Sequence, residues 1–171
     1  TMGENVKIEF SAPKLLYLNN LDELEDKDFP QIIDTLQERL KAMGIMIEKE
    51  TLINASVSSA HFSRNIKLED NYTASYLISE INKVNLNKTF DLSRTRYVNN
   101  GQSLYAHATS HQLVIYDKIA DLGKDPKRAI DKDQTKYQRD LFELFINDKT
   151  AEVLRFEIRL SQKQKMSSVL E

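Results

Sequence analysis

The sequence predicts an α+β fold with a central antiparallel β-sheet and helices packed on one of its faces. Several segments in the second half alternate apolar and polar side chains, which is typical of half-buried strands. The run Asn99–Gly101 is a strong turn signal between two of these segments. Two segments of the first half have the apolar spacing of amphipathic helices instead. We therefore expect a single domain over residues 1–171.

Strands and helices alternate in the first half. Val6–Leu18 is predicted to be a strand interrupted at Pro13, or a hairpin at the edge of the sheet. A helix is expected from Asp28, as its N-cap, to Gly44, and residues 45–68 are expected to be extended. A second helix is predicted over Tyr72–Asn85. The predicted inward stripes are Ile32, Ile33, Leu36, Leu40 and Met43 in the first helix, and Tyr76, Leu77, Ile81 and Val84 in the second.

The second half reads as a meander. The segments "FDLSRTRYV", "SLYAHAT" and "QLVIYDK" are predicted to be consecutive strands. A polar loop follows, and then an amphipathic helix over Gln134–Ile146. Ala151–Leu160 is predicted to be a strand, and "QKQKMSSVL" to begin another helix.

Composition excludes several classes of protein. The chain is 40% hydrophobic and 29% charged, as in folded proteins. It has no cysteine, so disulfide and thiolate chemistry are excluded and a cytoplasmic setting is expected. No apolar run is long enough to span a membrane. The net charge of −2 is not the excess of positive charge that is typical of nucleic-acid-binding proteins. Acidic residues nevertheless predominate before residue 86 and basic residues from there onward.

The three histidines have ordinary and functional interpretations. His61 lies in an extended segment, where a half-buried strand histidine is the more common case. His107 and His111 are four residues apart, a spacing that suits a metal site only on a helix. Because the pattern around them is strand and turn, a helical zinc site is not expected, although one of the two could face another kind of site.

Two strands carry charged or nucleophilic side chains on one face. Arg155, Glu157 and Arg159 alternate with apolar residues. This face is either solvated or the floor of a site for an acidic substrate, with Glu157 holding a divalent metal and the arginines holding phosphates. Tyr116 and Lys118 likewise share a face of their strand. Tyr116 is either an amphipathic strand residue or a nucleophile, with Lys118 stabilising a phenolate or holding a phosphate.

The motifs Tyr116-Asp117-Lys118 and Arg155-Phe156-Glu157-Ile158-Arg159 together resemble those of the rolling-circle replication initiators of filamentous phages and related plasmids, of the HUH endonuclease class. In this family an apolar strand ends in Tyr-x-Lys, and a strand Arg-Phe-Glu-x-Arg follows tens of residues later. "SAPKLLYLNN" and "SVSSAHFSRNI" also resemble what such proteins place before the motifs. The resemblance covers most of the chain in element order and implies an HUH/RRM-like sheet.

The resemblance implies that the chain nicks single-stranded DNA or a DNA hairpin and transfers the strand through a 5′-phosphotyrosine. Tyr116 would be the nucleophile and Lys118 its electrostatic helper. Mg²⁺ or Mn²⁺ would be held by residues among His61, Glu157 and His107. DNA would be bound by arginines, and the replication machinery, such as a helicase, is an implied partner. The DNA-binding candidates are Arg94, Arg96, Arg155 and Arg159.

The chain departs from the family in two respects. The His-hydrophobe-His triplet of the wider class is absent, because "HFS" begins like one but ends in serine. The metal ligands would therefore come from separate strands. Longer members of the family also continue beyond the glutamate strand. Two alternatives stay open: a non-catalytic DNA-binding protein of the same fold, and an interaction domain that binds no nucleic acid.

Overall fold

The described residues fold into two compact units, one formed by residues 6–55 and one by the described residues of 56–122 and 152–161. The computed structural model describes residues 6–69, 71–84, 86, 89–122 and 152–161. The prediction of a single domain over residues 1–171 stays a prediction. The helices predicted over Gln134–Ile146 and after Leu160 lie outside the described residues.

The first unit is helical. It contains α1 (Ala12–Tyr17), α2 (Phe29–Ala42) and α3 (Lys49–Ile53). The strand predicted over Val6–Leu18 is therefore wrong. Pro13 lies in the first turn of α1, where its missing N–H costs nothing. Residues 45–68 were predicted to be extended. Only the last part of this segment is a strand, because α3 lies in its first part.

The apolar side of α2 forms the core of this unit. Ile33, Leu36 and Leu40 pack with Leu52 of α3. The left-handed Gly44, at φ +80°, ends the helix as predicted. Met43 was expected inside but is 72% exposed, because it lies beyond the last helical residue.

Asp28 occupies the N-cap position of α2, as the sequence predicts, and it also holds the turn before the helix. Its side chain makes no capping hydrogen bond to α2. Instead, Asp28 Oδ2 accepts a hydrogen bond from the Tyr17 hydroxyl at 2.5 Å and one from the Glu25 backbone N–H at 2.7 Å. Both bonds lower the pKa of Asp28, and the bond between the two side chains is the main cause that raises the pKa of Tyr17 to about 12. Asp28 therefore ties α1 to the start of α2.

We expect Tyr17→Phe to lower the melting temperature of the first unit and to flatten its pH dependence. A carboxylate with a lowered pKa stabilises the fold above its unfolded pKa, and this contribution is lost as the pH falls below about 4. A phenol with a raised pKa stabilises below its unfolded pKa, and its contribution is lost as the pH rises from 10.0 towards 12. NMR melting curves of residues in this unit, recorded across pH, measure the loss of stability at low pH and at high pH. If the pH dependence of stability were unchanged in Tyr17→Phe, the stabilising role of the Tyr17–Asp28 hydrogen bond would be contradicted.

The second unit is built on a five-stranded antiparallel sheet, so the predicted α+β fold with a central antiparallel sheet is confirmed. The spatial order is β1-β5-β4-β3-β2, and β5 lies between the first and fourth strands. The turn at Asn99–Gly101 adopts positive φ at all three residues, as its sequence predicts. The strands are β1 (Ala60–Leu68), β2 (Asp91–Val98), β3 (Ser103–His107), β4 (His111–Asp117) and β5 (Glu152–Leu160).

One face of this sheet packs against α4 (Ala74–Asn82). The core between them consists of Ala74, Ile78, Leu104, Ile115 and Leu154. The Thr73 side chain caps the helix by accepting a hydrogen bond from the Tyr76 backbone N–H. Of the predicted inward stripe, Leu77 and Ile81 pack against the core, whereas Tyr76 and Val84 are 51% and 57% exposed. The predicted apolar stripe was centred on the wrong residues, because Ala74 and Ile78 are the residues of α4 that are buried against the sheet.

A fifth helix, α5 (Lys118–Leu122), begins where β4 ends and contacts β4 and β5. Within the described ranges, no helix is both long and apolar enough to cross a membrane.

We expect Ile78→Ala to destabilise the second unit by about 2–5 kcal/mol, because the side chain is fully buried and its loss leaves a cavity against the sheet. Val84→Ala is the matched control, since this exposed aliphatic residue should change stability by less than about 0.5 kcal/mol. Urea unfolding measures both. Equal effects of the two substitutions would contradict the assigned packing of α4.

Candidate active site on the polar face of the sheet

The sheet face opposite α4 carries mostly polar side chains, and they lie in register. Paired residues cross it from edge to edge as Ser63 (β1), Glu157 (β5), Val114 (β4), Tyr105 (β3) and Arg96 (β2). We call it the polar face; it also carries the residues two positions away on each strand, because side chains alternate along a strand. The sequence therefore predicts correctly which residues of β5 share a face, and it does so for β4 except at Lys118, which lies beyond the end of the strand.

Tyr116 and Glu157 meet on the polar face. Tyr116 is paired with Arg155 across the β4–β5 ladder, one step along the strand from Glu157. Its hydroxyl donates a long hydrogen bond to Glu157 Oε2, with 3.4 Å between the oxygens. The two motifs that are tens of residues apart in the sequence are thus in contact.

Glu157 is a buried carboxylate surrounded by basic groups. Only 7% of the residue is exposed. Arg159 Nε donates to Oε1 at 2.7 Å, and His61 Nδ1 lies 3.3 Å from the same oxygen. Arg155 Nε lies 3.8 Å from Oε2. A buried charge is tolerated when it is paired in this way, and removing its partners would be costly.

Arg155 is anchored to the neighbouring strand. Its two terminal nitrogens donate to Ser63 Oγ at 2.7 Å and to Asn65 Oδ1 at 3.3 Å. The residue is buried. Of the arginines predicted to bind DNA, Arg155 therefore serves the link between β1 and β5, whereas Arg94 and Arg96 are exposed on β2.

Lys118 lies beside Tyr116 but not on the strand. It is the first residue of α5, and only 1% of it is exposed. Its ammonium group is 5.9 Å from the centroid of the Tyr116 ring and 3.8 Å from Asp121 Oδ2. Lys118 and Tyr116 are therefore close together, as predicted. The aliphatic part of the lysine side chain packs at the end of β4.

The environment of Tyr116 raises the pKa of its phenol well above the usual value. Burial is the largest cause, and the negative charges of Glu157 and Asp121 act in the same direction. Arg155 and Arg159 oppose the shift. Tyr116 is therefore protonated at neutral pH, and it can act as a nucleophile only if a neighbouring group accepts its proton.

His107 lies far from the other predicted metal ligands. It occupies the same cross-sheet row as His61, but β5 and β4 separate their strands, which corresponds to about 14 Å. The Gln112 amide is 2.9 Å from His107 Nε2. Burial, followed by Arg94 and Arg96, lowers the pKa of His107. His111 instead packs edge-to-face against Phe90.

Among the residues that the structure describes, no group of three or more His, Cys, Asp or Glu side chains could hold a metal ion. His61 and Glu157 are the only two predicted ligands that it brings together. Ser63 and Asn65 were missed as partners of Arg155. The alternation in "HFSRN" places them on one face with His61, so the parity of the strand could have found them.

No protein-family model, curated protein or solved structure matches this chain.

We expect Glu157→Gln to lower the pKa of the Tyr116 phenol and Arg159→Gln to raise it, because the first substitution removes a negative charge and the second a positive one. NMR titration of ring-labelled tyrosine, with the Tyr116 signal assigned from Tyr116→Phe, measures both shifts. Glu80→Gln, on α4 at the opposite face of the sheet, is the control and should leave the Tyr116 signal unchanged. Shifts of the same sign in the two variants would contradict this electrostatic arrangement.

Proposed function

We propose that the chain is a DNA endonuclease and strand transferase that cuts single-stranded DNA with Tyr116 as the nucleophile. The observation that supports this proposal is the contact between the Tyr116 hydroxyl and the Glu157 carboxylate, 3.4 Å apart. A nucleophile within reach of a general base is the arrangement that covalent catalysis requires.

In the proposed reaction the Tyr116 hydroxyl oxygen attacks the scissile phosphorus, and Glu157 Oε2 accepts the hydroxyl proton. The bond between phosphorus and the 3′ oxygen breaks, and the leaving oxygen takes a proton from solvent. The products are a 5′-phosphotyrosine and a free 3′-OH. Strand transfer is the reverse reaction, in which another 3′-OH attacks the phosphotyrosine and Tyr116 recovers its proton.

Positive charge near Tyr116 suits this chemistry. The Lys118 ammonium group is 5.9 Å from the ring centroid, and Arg159 borders the Glu157 carboxylate. Both can stabilise the charge that develops on a phosphate in the transition state. The charges of Arg155 and Arg159 also oppose the effect of burial, which disfavours the phenolate.

We extend the proposal to Mg²⁺ or Mn²⁺. His61 and Glu157 would hold the ion, because they lie side by side and carry an imidazole nitrogen and a carboxylate. Mg²⁺ is often bound through one or two protein groups with water and substrate phosphate completing its shell. The ion would polarise the scissile phosphate. Arg159 competes for the same carboxylate oxygen, so metal dependence is an essential part of the test.

The proposed biological role is the initiation of rolling-circle replication, as the family resemblance implies. The role would bring the chain into contact with a DNA hairpin or single-stranded origin and with a helicase. It also implies a cytoplasmic location.

A non-catalytic DNA-binding function is the second candidate. It is favoured by the raised pKa of Tyr116 and by the short ion pair between Glu157 and Arg159, both of which describe a stable polar face without a reactive phenolate. This candidate predicts salt-sensitive binding without a covalent adduct.

We expect Tyr116→Phe to reduce covalent adduct formation to background while single-stranded DNA still binds, since only the attacking oxygen is removed. The measurement is a denaturing gel of protein mixed with labelled single-stranded DNA and Mn²⁺. Adduct formation should also stop when EDTA removes the metal.

Tyr97→Phe is the matched control for this experiment, because Tyr97 is paired with Leu104 on the opposite sheet face and its hydroxyl has no part in the reaction. It should form the adduct as the unmodified chain does. An adduct that persists in Tyr116→Phe would exclude Tyr116 as the nucleophile. No adduct with any single-stranded or hairpin DNA would leave the binding function as the better conclusion.

A further inference from the structure

A second part of the polar face lies two strands away from Tyr116. Tyr105 of β3 and Arg96 of β2 are directly paired across the ladder. Arg96 is exposed and Tyr105 is half-buried, in contrast to the buried Glu157 and Arg155. An aromatic ring and an accessible guanidinium group therefore lie next to each other at the β2 edge of the sheet.

The charges at this edge are not committed to ion pairs. Within the described part of the chain, neither Arg94 nor Arg96 forms a salt bridge. The nearby carboxylate of Asp91 accepts hydrogen bonds from the backbone and hydroxyl of Ser93, on its own strand.

We propose that Arg96 and Tyr105 form a nucleotide-binding subsite that holds a single-stranded DNA nucleotide flanking the scissile phosphate. Arg96 binds the backbone phosphate and Tyr105 stacks on the base. This inference rests on the proposed function, because it assumes that the same strand reaches Tyr116. It assigns a role in DNA binding to Tyr105. It also gives the path of the DNA, which crosses the strands from β4 towards β2.

The spacing fits this arrangement. Arg96 and Tyr116 are two strand spacings and one two-residue step apart, so their Cα atoms are about 12 Å from each other. A short stretch of extended single strand covers this distance. Tyr105 lies between them as the diagonal neighbour of Tyr116, because Tyr116 is paired with Ser103, two residues before Tyr105.

The chemistry of the pair favours an unpaired strand over a duplex. A base can stack on a tyrosine only when it has left the base stack, and such stacking tolerates any base. A guanidinium group beside the ring neutralises the phosphate of the same nucleotide. Duplex DNA would offer phosphates to Arg96 but no base to Tyr105.

The test measures binding of a labelled oligothymidylate by fluorescence anisotropy in EDTA, between about 50 and 200 mM salt. Arg96→Ala should reduce the slope of log affinity against log salt by about 0.7, the value for one phosphate contact on a single strand. Tyr105→Leu should weaken binding roughly 10-fold or more without changing the slope, because stacking involves no counterion release.

Two matched variants on the opposite sheet face control for general effects. Arg64→Ala removes an exposed arginine from β1, and Tyr97→Leu removes a partly exposed tyrosine from β2. Both pair with residues of the face that carries α4. They should bind like the unmodified chain. Circular dichroism melting of all four variants identifies any that fail to fold. If one variant of the Arg96–Tyr105 pair does not fold, the binding of the other variant tests the subsite.

The outcomes separate this inference from the proposed function. Binding by the Arg96 and Tyr105 variants that equals that of the two controls would overturn the subsite, even if Tyr116 forms its adduct. A slope change in Tyr105→Leu as large as that in Arg96→Ala would overturn the assigned stacking role. The predicted pair of effects supports the subsite, and because EDTA prevents cleavage this result does not depend on whether Tyr116 reacts.

Discussion

The polar face depends on one buried carboxylate. Glu157 lies on β5, between the two neighbouring strands, with only 7% of its surface exposed. An ionised carboxylate in that position is costly unless basic groups surround it, and Arg159 and His61 do so at 2.7 and 3.3 Å. The pairing also selects the register of the sheet. A shift of β5 by one residue would turn Glu157 towards the face that carries α4 and the hydrophobic core, away from His61 of β1.

This constraint connects the stability of the sheet with the proposed chemistry. The Tyr116 hydroxyl donates to the carboxylate that Arg159 pairs with, so the protonation of the phenol depends on the same charges that hold β1 and β5 together. Arg155 completes the connection by bonding Ser63 and Asn65 of β1. A substitution at any of these positions should therefore affect both folding and the acidity of Tyr116. For this reason, experiments on the site need a separate measure of folding.

Much of the sheet could be predicted from the sequence because strand alternation is local. In "LRFEIRL" the period of two shows which residues share a face, and Asn99–Gly101 defines its turn by conformation alone. The meander of β2, β3 and β4 was predicted, but the neighbours of β1 and β5 could not be. β5 pairs with both β1 and β4, far away in the sequence, and the burial of Glu157 and its contact with Tyr116 follow from that pairing. The error at Val6–Leu18 has a local cause, since Pro13 suits the first turn of a helix as well as a break in a strand.

The raised pKa of Tyr116 does not by itself argue against a nucleophilic role, because it describes the protein without DNA. A phosphate bound near Arg159 would compete with Glu157 for the guanidinium group, since both are anions and Arg159 has several N–H donors. A carboxylate that loses part of this pairing becomes a better proton acceptor. Glu157 already receives the Tyr116 hydrogen bond at Oε2, while Arg159 bonds Oε1. Substrate binding would then prepare the base by the same exchange of partners that positions the phosphate, and the free protein would keep its tyrosine protonated and unreactive.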